Sequence, residues 1–466
     1  MATNRRIVGI VLILALVASS IPLSWGVSDE VIAPEKLRED VDFLFKNLEE
    51  IHPNLYAYTD KSVIDELRSD LNYRLDHPMT RIEFYKEVAP VVAALNDGHT
   101  HIYPPFKEKT RYAEAGGLYF PLDICIFDGD KTIAERDYSG SGIPIGSELL
   151  SVNGILAKEI LESLRRYVSA EREAFANACI ERRFREYLWV GYGPCDIFLV
   201  EVKTPEGMAK ELELHGMTHV AIKVAMSEEE KEWKPYEYTY LEEYKCGLLT
   251  FNPFIYTEAV VPFLHDVFLD LKQRKAENLI IDIIENRGGS SRVGDLLLSY
   301  LTDKPFRQYS RMDTKVSEQI KKREVYSDWR KLQRAPNGTI LSVKIDYVRP
   351  RWNPLRFDGN VWLLTSAYTF SSATAFAATI QDFKLGAIAG EETGGLATTY
   401  GDVCRFTLPN SGREVGVSYK YCVRPNGQDA GRGVIPDYEI APRPEDIISG
   451  EDRMMMFVLD MIEMEG

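Results

Sequence analysis

Residues 359–402, GNVWLLTSAYTFSSATAFAATIQDFKLGAIAGEETGGLATTYGD, deliver a buried strand straight into a helix that begins on serines. VWLLT at 361–365 is a continuous apolar run, the pattern of a strand covered on both faces in a largely parallel sheet. The small residues from Ser371 onward let the helix pack closely on that sheet. The open amides of its first turn favour negative charge. Ser371 or Ser372 therefore stands where a serine oxygen meets amides able to stabilise an oxyanion. Serine and threonine are also favoured helix caps, so this segment taken alone reads first as capping by Thr369, Ser371 or Ser372.

A second segment, AENLIIDIIENRGGSSRVGDLLLSYL at 276–301, repeats the design. LIIDII is the strand, and Asn286, Arg287, Gly288 and Gly289 form the turn. Without Cβ atoms, the two glycines let backbone amides approach a ligand closely. The plain alternative is a tight turn.

The two segments together resemble the tail-specific (C-terminal processing) and tricorn-related serine peptidases. Asp282, Asn286, Gly288 and Gly289 match that family's acidic-Asn-Gly-Gly loop. Gln381 and Asp382, then Gly390, Glu391, Thr393 and Gly395, match the segments that follow its catalytic serine. That register makes Ser371 the nucleophile. It assigns the oxyanion hole to the amide of Ser372 with that of Gly288 or Gly289, and gives Asn286, Glu391 and Thr393 supporting places. The bacterial Ser-Lys branch has a lysine where this chain has Leu396, and Lys384 lies before the next strand, out of register for the role. The resemblance is thus closer to the tricorn-like branch, whose histidine motif resembles LNDGHTHIYPP at 95–105 and places His99 as general base. A neutral imidazole takes a serine proton and returns it to a leaving amine.

For the acid that orients His99, the resemblance points to 426–440, NGQDAGRGVIPDYEI, where Asp429 is the candidate, with Asp97 and Glu391 as alternatives. Asp beside Gly is also common in plain loops. His99 and His101 would share a strand face, but the other five histidines are scattered and no third metal ligand stands out. Neither metal nor cofactor is expected.

The N-terminus, MATNRRIVGIVLILALVASSIPLSWG, has a basic start at Arg5 and Arg6, an apolar stretch and small residues suited to cleavage, as in a secretion signal. Residues 1–27 are expected to be a signal peptide or an uncleaved anchor, placing the chain outside the cytoplasm. The net charge of −16 argues against nucleic acid as a partner. Of six cysteines, only Cys404 and Cys422 flank a hairpin turn, PNSGR, and bridging requires correct facing as well as spacing.

The expected class is mixed α/β, multidomain. Helical periodicity runs through 34–94, giving an N-terminal helical domain over 28–112 that ends in the histidine motif. A strand-rich domain follows at 113–220. Within it, IPIGSELLSVNGILAKEILESLRRYV resembles a PDZ domain, which binds peptide termini by adding a strand, although the stretch Ala170 to Pro194 interrupts the match. Residues 221–236 read as a charged linker. Residues 237–445 form the catalytic core, ClpP/crotonase-like by the resemblance, with 303–357 as a lid insertion, and 446–466 close as a Met-rich helix. The resemblance implies a secreted serine endopeptidase acting on peptides or unfolded proteins through an acyl-enzyme. The alternative is an inactive peptide- or lipophile-binding protein on the same fold.

Overall fold

The computed structural model describes residues 30–127, 130–229, 233–323 and 329–465. The expected signal or anchor at 1–27 lies outside them. Among the described residues no helix is long and apolar enough to cross a membrane.

The core is a six-stranded sheet in the order Tyr236–Leu241, Cys246–Phe251, Asn278–Asp282, Asn360–Thr365, Ala387–Gly390, Tyr438–Glu439. The first two strands form an antiparallel hairpin and all later pairings are parallel. Alternating strands and helices account for this, since parallel neighbours need crossovers. Val260–Arg274, Ser291–Leu301 and Ser372–Phe383 supply them. Leu279, Ile281, Leu363, Phe376 and Ile380 fill one face. Ile280, Trp362 and Leu364 fill the other, under Met454, Val458 and Ile462 of the C-terminal helix. Both faces are covered, which is why VWLLT carries no polar alternation. The stretch TYLEEYKCGLLTFNPF at 239–254, which reads as one strand, turns at 242–245 and contributes to two.

A second sheet joins Glu414–Val423 to Thr399–Thr407, His101–Ile102 and Arg311–Lys315, and the last of these pairs with Ile340–Lys344. Part of the 303–357 segment is therefore sheet, hydrogen-bonded along its length rather than hanging as a loop. The helix Pro34–Ile51 shares a core with this sheet through Leu44, Phe45 and Leu48 beside Val415 and Val417, and Lys61–Arg74 and Arg81–Ala93 join the same core through Ile64, Leu71, Phe84 and Val88.

The strand-rich region forms a third sheet, ordered Leu122–Phe127, Lys131–Asp137, Glu148–Val152, Ile197–Lys203, Ala209–His215. Ile197–Lys203 shows strict alternation, with Phe198, Val200 and Val202 buried and their neighbours exposed. The interrupting stretch folds as two helices, Glu173–Glu181 and Phe184–Tyr192, and the expected linker begins as a helix, His219–Glu229.

All six cysteines are free. Cys422 stands opposite Thr399 and Cys404 opposite Val417, so these two cysteines are offset along the ladder by several residues. At about 3.4 Å per residue, that offset is far beyond disulfide reach.

Candidate active site

Ser371 is the N-cap of the helix Ser372–Phe383, with φ 57° and ψ −124°, and makes no side-chain capping bond. A positive φ at a non-glycine residue costs about 1–3 kcal/mol and persists only where surroundings impose it. Here the loop is tied from several sides. The Phe370 amide donates to the Asn286 carbonyl at 3.1 Å, and the Gly395 amide to the Thr369 carbonyl at 3.1 Å. Thr369 Oγ1 donates to the Ile283 carbonyl at 2.9 Å, so this residue joins two strand ends instead of capping the helix.

Freed from capping, Ser371 Oγ lies 2.9 Å from His99 Nε2, although the residues are 272 positions apart. For the serine to donate, the ring must carry its proton on Nδ1. That Nδ1 is buried and makes no hydrogen bond of good geometry, although the Tyr400 backbone lies near the ring and favours its protonated form. The ring stacks on Phe370 at 4.5 Å between centroids. Burial pushes the His99 pKa down, Asp97 and Asp402 oppose the shift, and Arg287 adds to it. The imidazole is therefore neutral near pH 7, the form that accepts a proton.

Asp97 anchors His99 through the backbone. Its Oδ1 accepts the His99 amide at 3.1 Å. Its Oδ2 accepts from Thr100 Oγ1 at 2.5 Å and faces His52 Nε2 at 3.0 Å. The Asn54 amide donates to His52 Nδ1, so the His52 proton sits on Nε2 and points at Asp97. Burial alone would raise the Asp97 carboxyl, but the hydrogen bond from His52 and the electrostatic interactions with the His52 and His99 rings hold it well below the usual range.

The glycine loop presses directly on the serine. A Cβ on Gly288, whose φ is +88°, would lie 2.7 Å from the Phe370 carbonyl oxygen and 2.8 Å from the Ser372 amide nitrogen. The Gly288 amide is committed to Asn286 Oδ1 at 2.8 Å. The amides of Gly289 and Ser372 have no acceptor among the described residues. Thr393 Oγ1 donates to the Gly395 carbonyl at 2.9 Å and accepts the Val434 amide at 2.9 Å, fixing the turn behind Ser371. Glu391 braces the same region, its amide donating to the Thr365 carbonyl and its carboxylate accepting the Ala367 amide.

Asp429 is not brought to His99. Its carboxylate accepts from the Tyr421 hydroxyl and, at 3.1 Å, from the Gly431 amide, in an exposed loop. Asp-Gly loop chemistry claims it locally. His101 is held apart too: it pairs across the sheet with Gly416 and packs edge-on against Tyr103, and burial pushes it down to about 4. Lys384 caps the far end of the twelve-residue serine helix, about 18 Å from Ser371.

Two groups came from a stretch with no local signature. Phe175 stacks on Phe370, and Glu171 places its carboxyl beside Asp97 and His99. One ligand-type atom from each of these three residues lies within 4.8 Å of the others, the spacing of a potential metal site. Because both Asp97 oxygens already accept hydrogen bonds, the unsatisfied members are His99 and Glu171. A cleft of about 1610 Å³ opens alongside, lined by Arg182, Arg287, Tyr368 and Glu391 among others; Ser371 and His99 do not line it.

Residues 245–440 match peptidase family S41. Two solved structures of mature CPAF have a similar fold. The one complexed with lactacystin aligns with a TM-score of 0.69 at 15% identity, covering 92% of this chain and 97% of that one. A structure titled simply mature CPAF gives 0.65 at 15% identity, covering 93% and 98%. No curated protein matches the sequence.

Proposed function

The chain carries a serine peptidase domain of family S41 across residues 245–440, and from that premise we propose that it cleaves peptides or unfolded proteins with Ser371 as nucleophile and His99 as base. The observation that carries this reading is the 2.9 Å contact between Ser371 Oγ and His99 Nε2. Ser371 Oγ attacks the scissile carbonyl carbon while its proton passes to His99 Nε2. The amide of Ser372, with that of Gly289 or of Gly288 released from Asn286, receives the oxyanion. His99 then protonates the leaving amine, the C–N bond breaks, and an acyl-enzyme ester remains on Ser371. Water, deprotonated by His99, hydrolyses the ester and restores the serine.

The strained backbone of Ser371 and its unused capping potential support this role, because both cost stability unless the hydroxyl is needed elsewhere. The N-terminal segment 1–27, basic and then apolar, supports action outside the cytoplasm. Strand addition by a substrate C-terminus to the sheet at 122–215 is the corresponding proposal for recognition.

Casein hydrolysis by the chain lacking residues 1–27, run beside Ser371→Ala and His99→Ala, tests the reading. Loss of at least about 10³-fold in kcat in each variant is expected. A wild-type protein with no hydrolytic activity and no labelling by serine-directed reagents would sink it in favour of a binding protein on the same fold.

A further inference from the structure

The catalytic cycle above leaves the Nδ1 side of His99 unassigned. Nδ1 is buried and makes no hydrogen bond of good geometry, and neither do the carboxyl oxygens of Glu171. The Tyr400 backbone nonetheless lies close enough to favour the charged ring, and the Gly98 and Glu171 backbone to favour the carboxylate. Buried polar atoms are normally satisfied, so three orphans in one place need an explanation. They are not scattered, since one ring nitrogen of His99 and one carboxylate oxygen each from Glu171 and Asp97 fall within 4.8 Å of one another. Glu171 also packs on the residue preceding His99, for a Cβ on Gly98 would lie 2.9 Å from Glu171 Oε2.

We propose that Glu171 is a positioning residue for His99: its carboxyl accepts the Nδ1–H bond as the ring becomes charged, which fixes the tautomer that leaves Nε2 open to the Ser371 proton. The two groups make no hydrogen bond at rest and would close on one another as charge develops, as catalytic bonds in unliganded sites commonly do. The proposal rests on the peptidase reading of Ser371 and His99. It assigns a purpose to the Ala170–Pro194 stretch, which brings an acid from the strand-rich domain to a serine on the core sheet.

The pair's surroundings set its pH behaviour. Asp97 lies on the loop before His101, Asp402 and Tyr400 on the strand Thr399–Thr407, Arg287 on the glycine loop, and Tyr58 ahead of the helix Lys61–Arg74; His101 and, through Asp97, His52 also face the pair. Burial and then the Asp97 charge push the Glu171 carboxyl up to about 8. Glu171 thus keeps its proton to higher pH than an ordinary carboxyl. Above that point it becomes a carboxylate, and a negative charge beside the ring strengthens His99 as a base.

The test reads the His99 ring by ¹⁵N NMR across pH 5–10 in histidine-labelled protein, assigned with His99→Gln. It needs no substrate, so an inactive enzyme and a wrong role for Glu171 are separate results. Wild type is expected to show a step in the His99 nitrogen shifts near pH 8, absent in Glu171→Gln. The kcat for casein should fall about 10-fold in that variant with KM unchanged, and kcat/KM should lose its rise through the same pH. If Glu171→Gln does not fold, Glu171→Asp must keep the step with a moved midpoint. A wild type without the step, a Glu171→Gln protein that titrates like wild type, or an Asp variant with an unmoved midpoint would each overturn the proposal.

Discussion

Phe175 lies flat on Phe370, with centroids 4.2 Å apart and ring planes 7° from parallel, and Phe370 stacks in turn on the His99 ring. The nucleophile's preceding residue is thereby clamped between its base and a helix from another sheet. A buried aromatic pair contributes about 0.5–1.5 kcal/mol beyond its area. Phe175→Ala should therefore lower stability by about 3 kcal/mol and kcat by roughly 10-fold through lost ring orientation. Thermal melts and steady-state kinetics read the two effects, and unchanged kcat would show that the stack is structural only.

Gly288→Ala meets both a positive φ of +88° and backbone atoms 2.7–2.8 Å from the new methyl. Neither neighbour is a flexible side-chain tip, so the loop must move away from Ser371. A fall in kcat of about 10²-fold, the scale of a lost oxyanion donor, is expected with far-UV circular dichroism intact.

The Arg287 charge joins burial in lowering the His99 pKa. Removing it in Arg287→Gln raises that pKa, so the neutral base persists over a narrower range and the acidic limb of kcat/KM moves to higher pH. A shift of a few tenths of a unit or more is expected, larger at low salt because the interaction is between charges. A limb that moves to lower pH would contradict the electrostatic account.

Asp429→Asn separates two candidates for the acid. Its carboxylate serves Tyr421 and Gly431 in an exposed loop, so kcat/KM should stay within about threefold of wild type, against the larger loss expected for triad members. A loss beyond 10²-fold would return Asp429 to the catalytic assembly.

How far these features were legible varies with the range of the forces behind them. The strands at 278–282 and 360–365, the serine helix and the glycine loop are written locally, as apolar runs, small residues and a Gly pair. Ser371 and His99 needed the order of motifs as well, because nothing near either residue specifies a partner 272 positions away. Glu391 and Thr393 hold the loop through hydrogen bonds to partners at a strand end and in a distant turn. Glu171 and Phe175 were illegible, since their importance comes from packing between sheets and their neighbours show no motif. His52 stood in a recognisable HPNLY segment, yet its tie to Asp97 depends on tertiary placement. The free Cys404 and Cys422 illustrate the same limit: a hairpin was readable, its register was not.

The buried Asp97–His52 pair gives the last prediction. Asp97 holds the loop that carries His99, and Asp97→Asn replaces a charge-assisted acceptor with a neutral one, at a cost of about 3 kcal/mol near pH 7. The sign with pH follows from the depressed carboxyl: its folded value lies below the ordinary 3.8, so its stabilising contribution is complete above that value and drains away as pH falls further. Urea midpoints should therefore separate widely at pH 7 and converge as the pH falls below about 4. Because Asp97 accepts the His99 amide, kcat should drop with stability at neutral pH. A variant as stable as wild type at pH 7 would mean that the Asp97–His52 contact contributes nothing net and that the His99 loop is held by its packing alone.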